Sequence, residues 1–260
     1  MKIFSISSGS KGNSIFISAN KTKILVDAGV SYKLIETTLL KNGEDVHSVS
    51  AVLITHEHSD HIKGLSVLVK NCPQIKVYAH HSICNLLSAL MPVVERNLVP
   101  IVSPVFYEGD FLVSAFKIPH DSQVCLGYSV FEEDKKVSIM LDVGYIAPHH
   151  LTEVAGSNLL YIESNHSVDL LKSYAGYSPN LKARILSEGG HLSNEACGEF
   201  VSRVLAETPN CRIVLSHLSS KTNTPDTARL EVGQIVKQNL GIEPELFVAP
   251  ELKQGDNFII

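Results

Sequence analysis

The stretch "AVLITHEHSDHIKG", residues 51–64, constrains this chain more than any other. An apolar run, "SAVLIT", passes without a spacer into His56, His58, Asp60 and His61. A short apolar run bounded by turn residues reads as a buried strand. Histidine and aspartate are poor strand formers and poor core residues, so four of them straight after such a strand need something to hold them together. In a tight turn, alternate residues point to one side. His56 and His58 are then placed to grip one cation, and Asp60 and His61 to reach a second a few ångströms away. Imidazole with carboxylate suits Zn²⁺, and Fe or Mn as well.

Three other apolar runs end in the same way. His120 closes "FLVSAFKIPH", Asp142 closes "KVSIMLD" and His217 closes "CRIVLSH". Any one of these also fits an ordinary turn. Strands that all end in ligand-type side chains are what a fold produces when strand ends line one cleft. With the first string they make five histidines and two aspartates, a full set for two metal ions.

Around these points the chain reads as mixed strands and helices. "KIFSIS", "NSIFISA" and "TKILVDAG" predict a β-meander broken at Gly9–Gly12 and Asn20–Lys21. Residues 31–40 predict a helix capped by Ser31 and stopped at Gly43. "DHIKGLSVLVKN" predicts one helix ended by Cys72-Pro73. Later strands are expected at "KVYAH", "LVPIV", "FLVSAFKIP", "CLGYSVFEE", "KVSIMLDVG", "NLLYIES", "CRIVLSH" and "EPELFVAP". Helices are expected at "HSICNLLSALM", "HHLTEVAGS", "SNEACGEFVSRVLAE" and "TPDTARLEVGQIVKQNLG". No linker, low-complexity tract or repeat interrupts residues 1–260, which read as a single domain of stacked sheets covered by helices. Hydrophobic residues at 44% and charged residues at 19% allow a sizeable core. A net charge of −5 argues against indiscriminate nucleic-acid binding through a broad basic surface. The five cysteines are scattered, with no C-x-x-C. Together with a start lacking an apolar leader, they predict a cytoplasmic protein with reduced thiols. No run is long enough to span a membrane.

The whole pattern resembles the metallo-β-lactamase fold superfamily. The resemblance implies an α+β, αββα sandwich of two mixed β-sheets with a metal cleft at one edge. It also implies a division of ligands: His56, His58 and His120 on one ion, Asp60, His61 and His217 on the other, and Asp142 of "LDVG" between them. Asp27 of "ILVDAG" matches an early aspartate that sits behind the ligands and orients them. His58 departs from the flavodiiron branch, which carries glutamate there. The segment beyond His217, one helix and a strand, leaves little room for a glyoxalase II extension.

Two further stretches point to phosphodiesters. "SEGGHLSNEAC" resembles the His-Leu-Ser/Thr motif of ribonuclease Z-like phosphodiesterases, in which His191 assists the leaving oxygen; Ser193 is a candidate N-cap. "SSGSKGNS" is either a plain hairpin turn or a loop offering backbone N–H groups to phosphate. Glu163 and His166 of "IESNH" orient His191, line the cleft or form a packed turn. In order along the chain, "SSGSKGNS", "THEHSDHIKG", "PHD", "LDVG", "IESNHS", "GHLSNE" and "LSHLS" resemble the bacterial YycJ/WalJ branch. That resemblance implies a 5′ to 3′ exonuclease acting on double-stranded DNA. For such a reaction Asp60 is expected to help deprotonate or aim the nucleophile while ligating metal, and Lys11, Lys221 and Asn223 are candidate substrate contacts. A small-molecule hydrolase acting on a cyclic phosphodiester, lactone or thioester is the competing expectation. A metal-bearing binding protein without catalysis is a further one.

Overall fold

The computed structural model describes residues 1–260. Strands β1 (Lys2–Ser7), β2 (Ser14–Ala19) and β3 (Thr22–Val26) form the expected antiparallel meander, with Ile3 opposite Ile17 and Phe16 opposite Leu25. Beyond β3 the sheet turns parallel and each crossover is helical. α1 (Tyr32–Lys41), capped by Ser31, leads to β4 (Ala51–Leu53). α2 (Ser59–Ile62) and α3 (Leu65–Asn71) lead to β5 (Lys76–His80), and α4 (His81–Leu90) leads to β6 (Leu98–Ile101).

The second sheet repeats this plan, although the sequence carries no repeat. β7 (Val105–Glu108), β8 (Phe111–Ile118), β9 (Cys125–Glu132) and β10 (Lys135–Met140) are antiparallel. α5 (Pro148–Val154) then crosses to β11 (Leu159–Glu163). α6 (Val168–Ser173), α7 (Pro179–Ile185) and α8 (Asn194–Glu207) cross to β12 (Arg212–Ser216). α9 (Pro225–Leu240) crosses to β13 (Leu246–Val248), and β10 to β13 run parallel. β14 (Phe258–Ile259) returns to pair with β1 at the edge of the first sheet. The strand orders are β14-β1-β2-β3-β4-β5-β6 and β13-β12-β11-β10-β9-β8-β7.

Period-two alternation decides the layers. Ile3, Ile17 and Val26 meet Tyr128, Val137 and Tyr161 between the sheets. Phe4, Phe16 and Leu25 face the other way and pack with Ile35, Leu68 and Ile83 of α1, α3 and α4. Leu160 and Ile162 of β11 pack with Phe200 of α8 and Val232 of α9. The result is the αββα sandwich, an α+β fold. All five cysteines are buried free thiols, and no helix is long and apolar enough to cross a membrane.

Several elements depart from the reading of the sequence, among them β14, a strand of two residues beyond the one expected to close the fold. The helix expected over "DHIKGLSVLVKN" breaks into α2 and α3 at Lys63–Gly64. Gly64 N–H turns aside to Ala28 O at 2.8 Å, and a Cβ at Gly64 would lie 1.9 Å from Val30 O, so the backbone must pass there without a side chain. β7 was not signalled because it is an edge strand that mostly faces water. α6 and α7 bury one residue and none respectively, and so have no apolar stripe to read.

Candidate metal centre

The carboxyl ends of β3, β4, β8, β10, β11 and β12 converge at one end of the two sheets. Three of the polar residues found there, Asp27, Asp142 and His217, have left-handed backbone, with φ of 61°, 55° and 55°. That region costs a non-glycine residue about 1–3 kcal/mol and needs surrounding structure to hold it. The holding bonds are present. Asp27 N–H donates to Leu53 O at 2.9 Å, and His217 N–H donates to Ser8 Oγ at 2.9 Å.

The turn after β4 is braced from below. Asp27, fully buried, accepts Thr55 N–H at 2.8 Å and Thr55 Oγ1–H at 2.9 Å, and takes His61 Nδ1–H at 2.7 Å. Asn13 N–H donates to Asp60 O at 2.8 Å. A Cβ at Gly29 would stand 1.7 Å from that same Asp60 oxygen, so only glycine lets the two backbones meet.

These supports fix the tautomers, because an oxygen that can only accept must face an N–H. His61 gives its Nδ1 proton to Asp27. His217 gives its own to Glu163 Oε1 at 2.9 Å, and His120 to Gly190 O at 3.1 Å. The Thr55 hydroxyl proton goes to Asp27, leaving its oxygen to accept from His56 Nδ1 at 3.0 Å. Four Nε2 atoms are therefore turned inward. Those of His56 and His217 have no hydrogen-bond partner, and neither does Asp142 Oδ2. His61 Nε2 stands 2.8 Å from Asp142 Oδ2, a separation that needs a proton or a cation between the two atoms. Buried polar atoms without partners cost about 1–3 kcal/mol each. A cation among them removes the cost, so the donor set fits divalent metal.

The atoms fall into groups whose members lie within 4.8 Å of one another: His56, His58 and His120; Asp60, His61 and His217; and His56, His61 and Asp142. Asp142 thus shares one neighbour with each of the first two groups. A fourth group, Asp142, Glu163, His191 and His217, has the same spacing. There Glu163 is a support, because its oxygens accept four N–H groups. Oε1 takes His191 Nδ1 at 2.8 Å and His217 Nδ1, while Oε2 takes Val143 N at 2.5 Å and Leu192 N at 3.2 Å.

The electrostatics follow from this packing. Burial and the neighbouring imidazole of His61 hold His56 well below the usual histidine range, so it is neutral and free to donate a lone pair. Burial works against charge on Asp60 and Asp142. The imidazoles around them outweigh it, His217 foremost, and keep both carboxyls ionised. Burial likewise opposes charge on Glu163, but His191 and His217 bring its pKa down to about 2. His191 is raised: burial would lower it, and the Glu163 carboxylate overrides that.

The structure brings together His56, His58, Asp60, His61, His120, Asp142, His191 and His217, with Asp27 behind them. The tentative substrate contacts fare differently. Asn223 is buried, and its amide donates to Ser164 O at 2.9 Å and Asn194 Oδ1 at 2.8 Å, so it ties the loops below the site and does not reach substrate. Lys11 points outward onto Glu251 at 2.8 Å. Lys221 is exposed and in no ion pair within 4 Å. The "SSGSKGNS" loop is not a phosphate cradle. The N–H groups of Ser8, Gly9, Lys11, Gly12 and Asn13 go to Pro250 O, Asn13 Oδ1, Glu251 Oε1, Gly9 O and Asp60 O. Instead the loop props the ligand turn, and Asn13 Nδ2 lies 3.1 Å from His61 Nε2. Thr55 and Asn13 were missed as site supports. The only sequence signal was their position, inside or next to the two motifs already singled out.

Comparison with known proteins agrees with this geometry. Residues 22–218 match the model of the beta-lactamase superfamily domain. The chain is 33% identical over 235 residues to exodeoxyribonuclease YycJ of Bacillus anthracis, covering 90% of this chain and 88% of the relative. It is 34% identical over 242 residues to exodeoxyribonuclease WalJ of Streptococcus pneumoniae, covering 91% and 89%. Among solved structures, the metallo-beta-lactamase fold protein YhfI of Bacillus subtilis superposes with a TM-score of 0.74 at 18% identity, covering 99% of this chain and 98% of that one.

Proposed function

The chain belongs to the metallo-β-lactamase superfamily, and from that membership and the geometry of its centre we propose that it is a metal-dependent phosphodiesterase that degrades DNA from an end. The observation that carries this reading is the set of four imidazoles, His56, His61, His120 and His217, whose Nδ1 atoms are held by Thr55, Asp27, Gly190 O and Glu163 while Nε2 faces the cleft. Two cations are the proposed complement. His56, His58 and His120 would hold one and Asp60, His61 and His217 the other, with Asp142 close to both; zinc suits these donors best, manganese and iron next. When bound, divalent ions would supply a water acidified toward neutrality and positive charge beside the phosphate oxygens.

The chain's own residues do the rest. Asp60 aims the attacking water. His191 keeps Nδ1–H on Glu163, which orients the ring and leaves Nε2 to hand a proton to the leaving oxygen. The names of the two relatives support DNA as substrate, and the resemblance to their branch supports attack from the 5′ end of duplexes. The buried free thiols favour a reducing compartment such as the cytoplasm.

The test is a duplex labelled at one end, digested after metal removal and re-addition of each ion, with the metal content measured. The expected result is two ions per chain and early release of labelled mononucleotide from 5′-labelled duplex, not from 3′-labelled duplex. Intact DNA alongside turnover of a cyclic phosphodiester or thioester would overturn the nuclease reading in favour of a small-molecule hydrolase.

A further inference from the structure

A cavity of about 420 Å³ opens beside His191, between the segment after Val143, Leu186 and the start of α8. Its apolar walls include Tyr145, Leu186 and Phe200; Glu199 and Arg203 stand on its exposed α8 side. His166 also lines it. That residue is fully buried, and neither of its ring nitrogens has a hydrogen-bond partner. The backbone around it is pinned, because His166 O accepts Asn194 N–H at 2.9 Å and Asn165 N–H donates to Leu192 O at 2.8 Å. With no exposed surface, that ring lies behind the cavity wall and does not meet an occupant.

Apolar walls, a cation and an anion at the rim, and the part-exposed imidazole of His191 describe the occupant. A flat heterocycle with donors and acceptors on its edge satisfies all of them. An acyl chain would strand the ionic groups, and a bare sugar would leave the walls wet. His191 belongs both to this cavity and to the metal centre, so whatever sits here is attached close to the reacting bond. We propose that the cavity is a nucleobase subsite, holding the base of a nucleotide next to the scissile phosphate against Tyr145 and its apolar neighbours. This inference rests on the phosphodiesterase reading. The exposed side chains of Glu199 and Arg203 adapt to different edges, so the subsite tolerates any of the bases, as stacking platforms do.

The metal-loaded full chain is titrated with deoxythymidine and deoxyadenosine 5′-monophosphates, with 2-deoxyribose 5-phosphate and with inorganic phosphate. The base is expected to tighten binding by about 10- to 100-fold over the abasic sugar phosphate, the usual worth of stacking one base. Ala196→Trp, which fills the cavity from α8, should erase that gap and leave phosphate binding unchanged. Arg203→Ala, at an exposed position, should narrow it, and decides the matter if the tryptophan variant is unstable. No gap in the wild type, or one that survives both substitutions, overturns the subsite. DNA digestion by the same samples separates the two readings. A wild type that keeps the gap but leaves DNA intact sinks the nuclease and spares the subsite; DNA cleavage without a gap does the reverse.

Discussion

Two regions supply the centre by opposite means. The turn after β4 delivers His56, His58, Asp60 and His61 from one short segment, clamped by Asp27, Asn13 and Gly29. The other region assembles His120, Asp142, Glu163, His191 and His217 one at a time from separate strand ends and a loop. In the compact region a single buried carboxylate supports one imidazole. In the dispersed region Glu163 cross-ties two, His191 and His217, and strained backbone at Asp142 and His217 turns the side chains inward. Proximity in sequence can replace cross-ties, and its absence has to be made good by them.

The largest effect should come where the regions meet. Asp142 neighbours His56 and His61 of the compact turn and His217 of the dispersed set. Asp142→Ala should loosen both proposed ions and cut phosphodiester turnover by about 10³-fold or more, the several kcal/mol that metal chemistry supplies. His58→Ala should cost as much turnover while emptying one site first. Metal content and kcat of each purified variant, with a melt to confirm folding, check both. Wild-type metal and turnover in Asp142→Ala would break the idea that the two regions share this residue.

His191 tests the dispersed region alone. It touches Glu163 and stands 3.6 Å from Asp142, yet its Nε2 has no support to hold. His191→Ala should keep its metals and lose about 10²–10⁴-fold in kcat, the range for a positioned proton donor. The loss should shrink on a p-nitrophenyl ester, whose leaving group needs no proton. Equal losses on DNA and on the activated ester would remove the proton-donor role, and loss of metal would make His191 a ligand.

The same contrast explains what could be read from the sequence. Strand ends and ligand-type residues were legible because apolar runs and titratable residues are each conspicuous, and the first string carried both within a few positions. The role of Glu163 was legible only as one of three readings, orienting His191 among them, and its hold on His217 and the true role of Asn223 were not legible. Glu163 and Asn223 are polar residues near strand or helix ends, and only the folded chain shows that one reaches two imidazoles while the other's amide is satisfied by Ser164 and Asn194. Lys11 failed for a related reason: its partner, Glu251, lies at the other end of the sequence. The break at Gly64 depends on the backbone of Val30, which no local pattern reports.

Support residues should separate the regions by a smaller margin. Asp27→Asn keeps an acceptor for Thr55 N–H but sets an NH2 where the Thr55 hydroxyl and His61 Nδ1–H donate, and should cost about 10- to 100-fold in metal affinity or activity. Glu163→Gln disturbs two imidazoles at once. It should exceed Asp27→Asn and lower kcat on DNA more than on the p-nitrophenyl ester, since His191 is one of the two. Paired metal titrations and kinetics decide. If Asp27→Asn proved the costlier, the cross-tie argument would be wrong.

A link between the regions exists outside the chemistry. Tyr128 of β9 donates its hydroxyl to Ile54 O at 2.6 Å, joining the second sheet to the backbone that enters the compact turn. Tyr128→Phe leaves a buried carbonyl unmet and should cost about 1–3 kcal/mol of stability. Denaturant unfolding measures that, and metal content should stay unchanged if Asp27 and Asn13 are enough to hold the turn.

The smallest expected effect lies away from the centre, where Glu108 of β7 accepts Lys76 Nζ at 2.9 Å and Tyr78 OH at 2.8 Å from β5 of the other sheet. Burial disfavours the charged carboxyl here, but these donors outweigh it and hold the pKa below the usual glutamate range. A depressed carboxyl contributes stability that is present above the unfolded pKa, about 4.3, and is lost as pH falls through the folded value. At neutral pH the wild type should therefore melt above Glu108→Gln. Below about pH 4.3 the gap should narrow, because the unfolded chain then binds a proton that the folded chain takes up only at lower pH. Thermal melts of both proteins from pH 7 downward read this directly. A gap that stays constant with pH would mean that Glu108 joins the sheets by shape and neutral hydrogen bonds, with no contribution from its charge. The link between the sheets would then be as insensitive to protons as the apolar layer beside it.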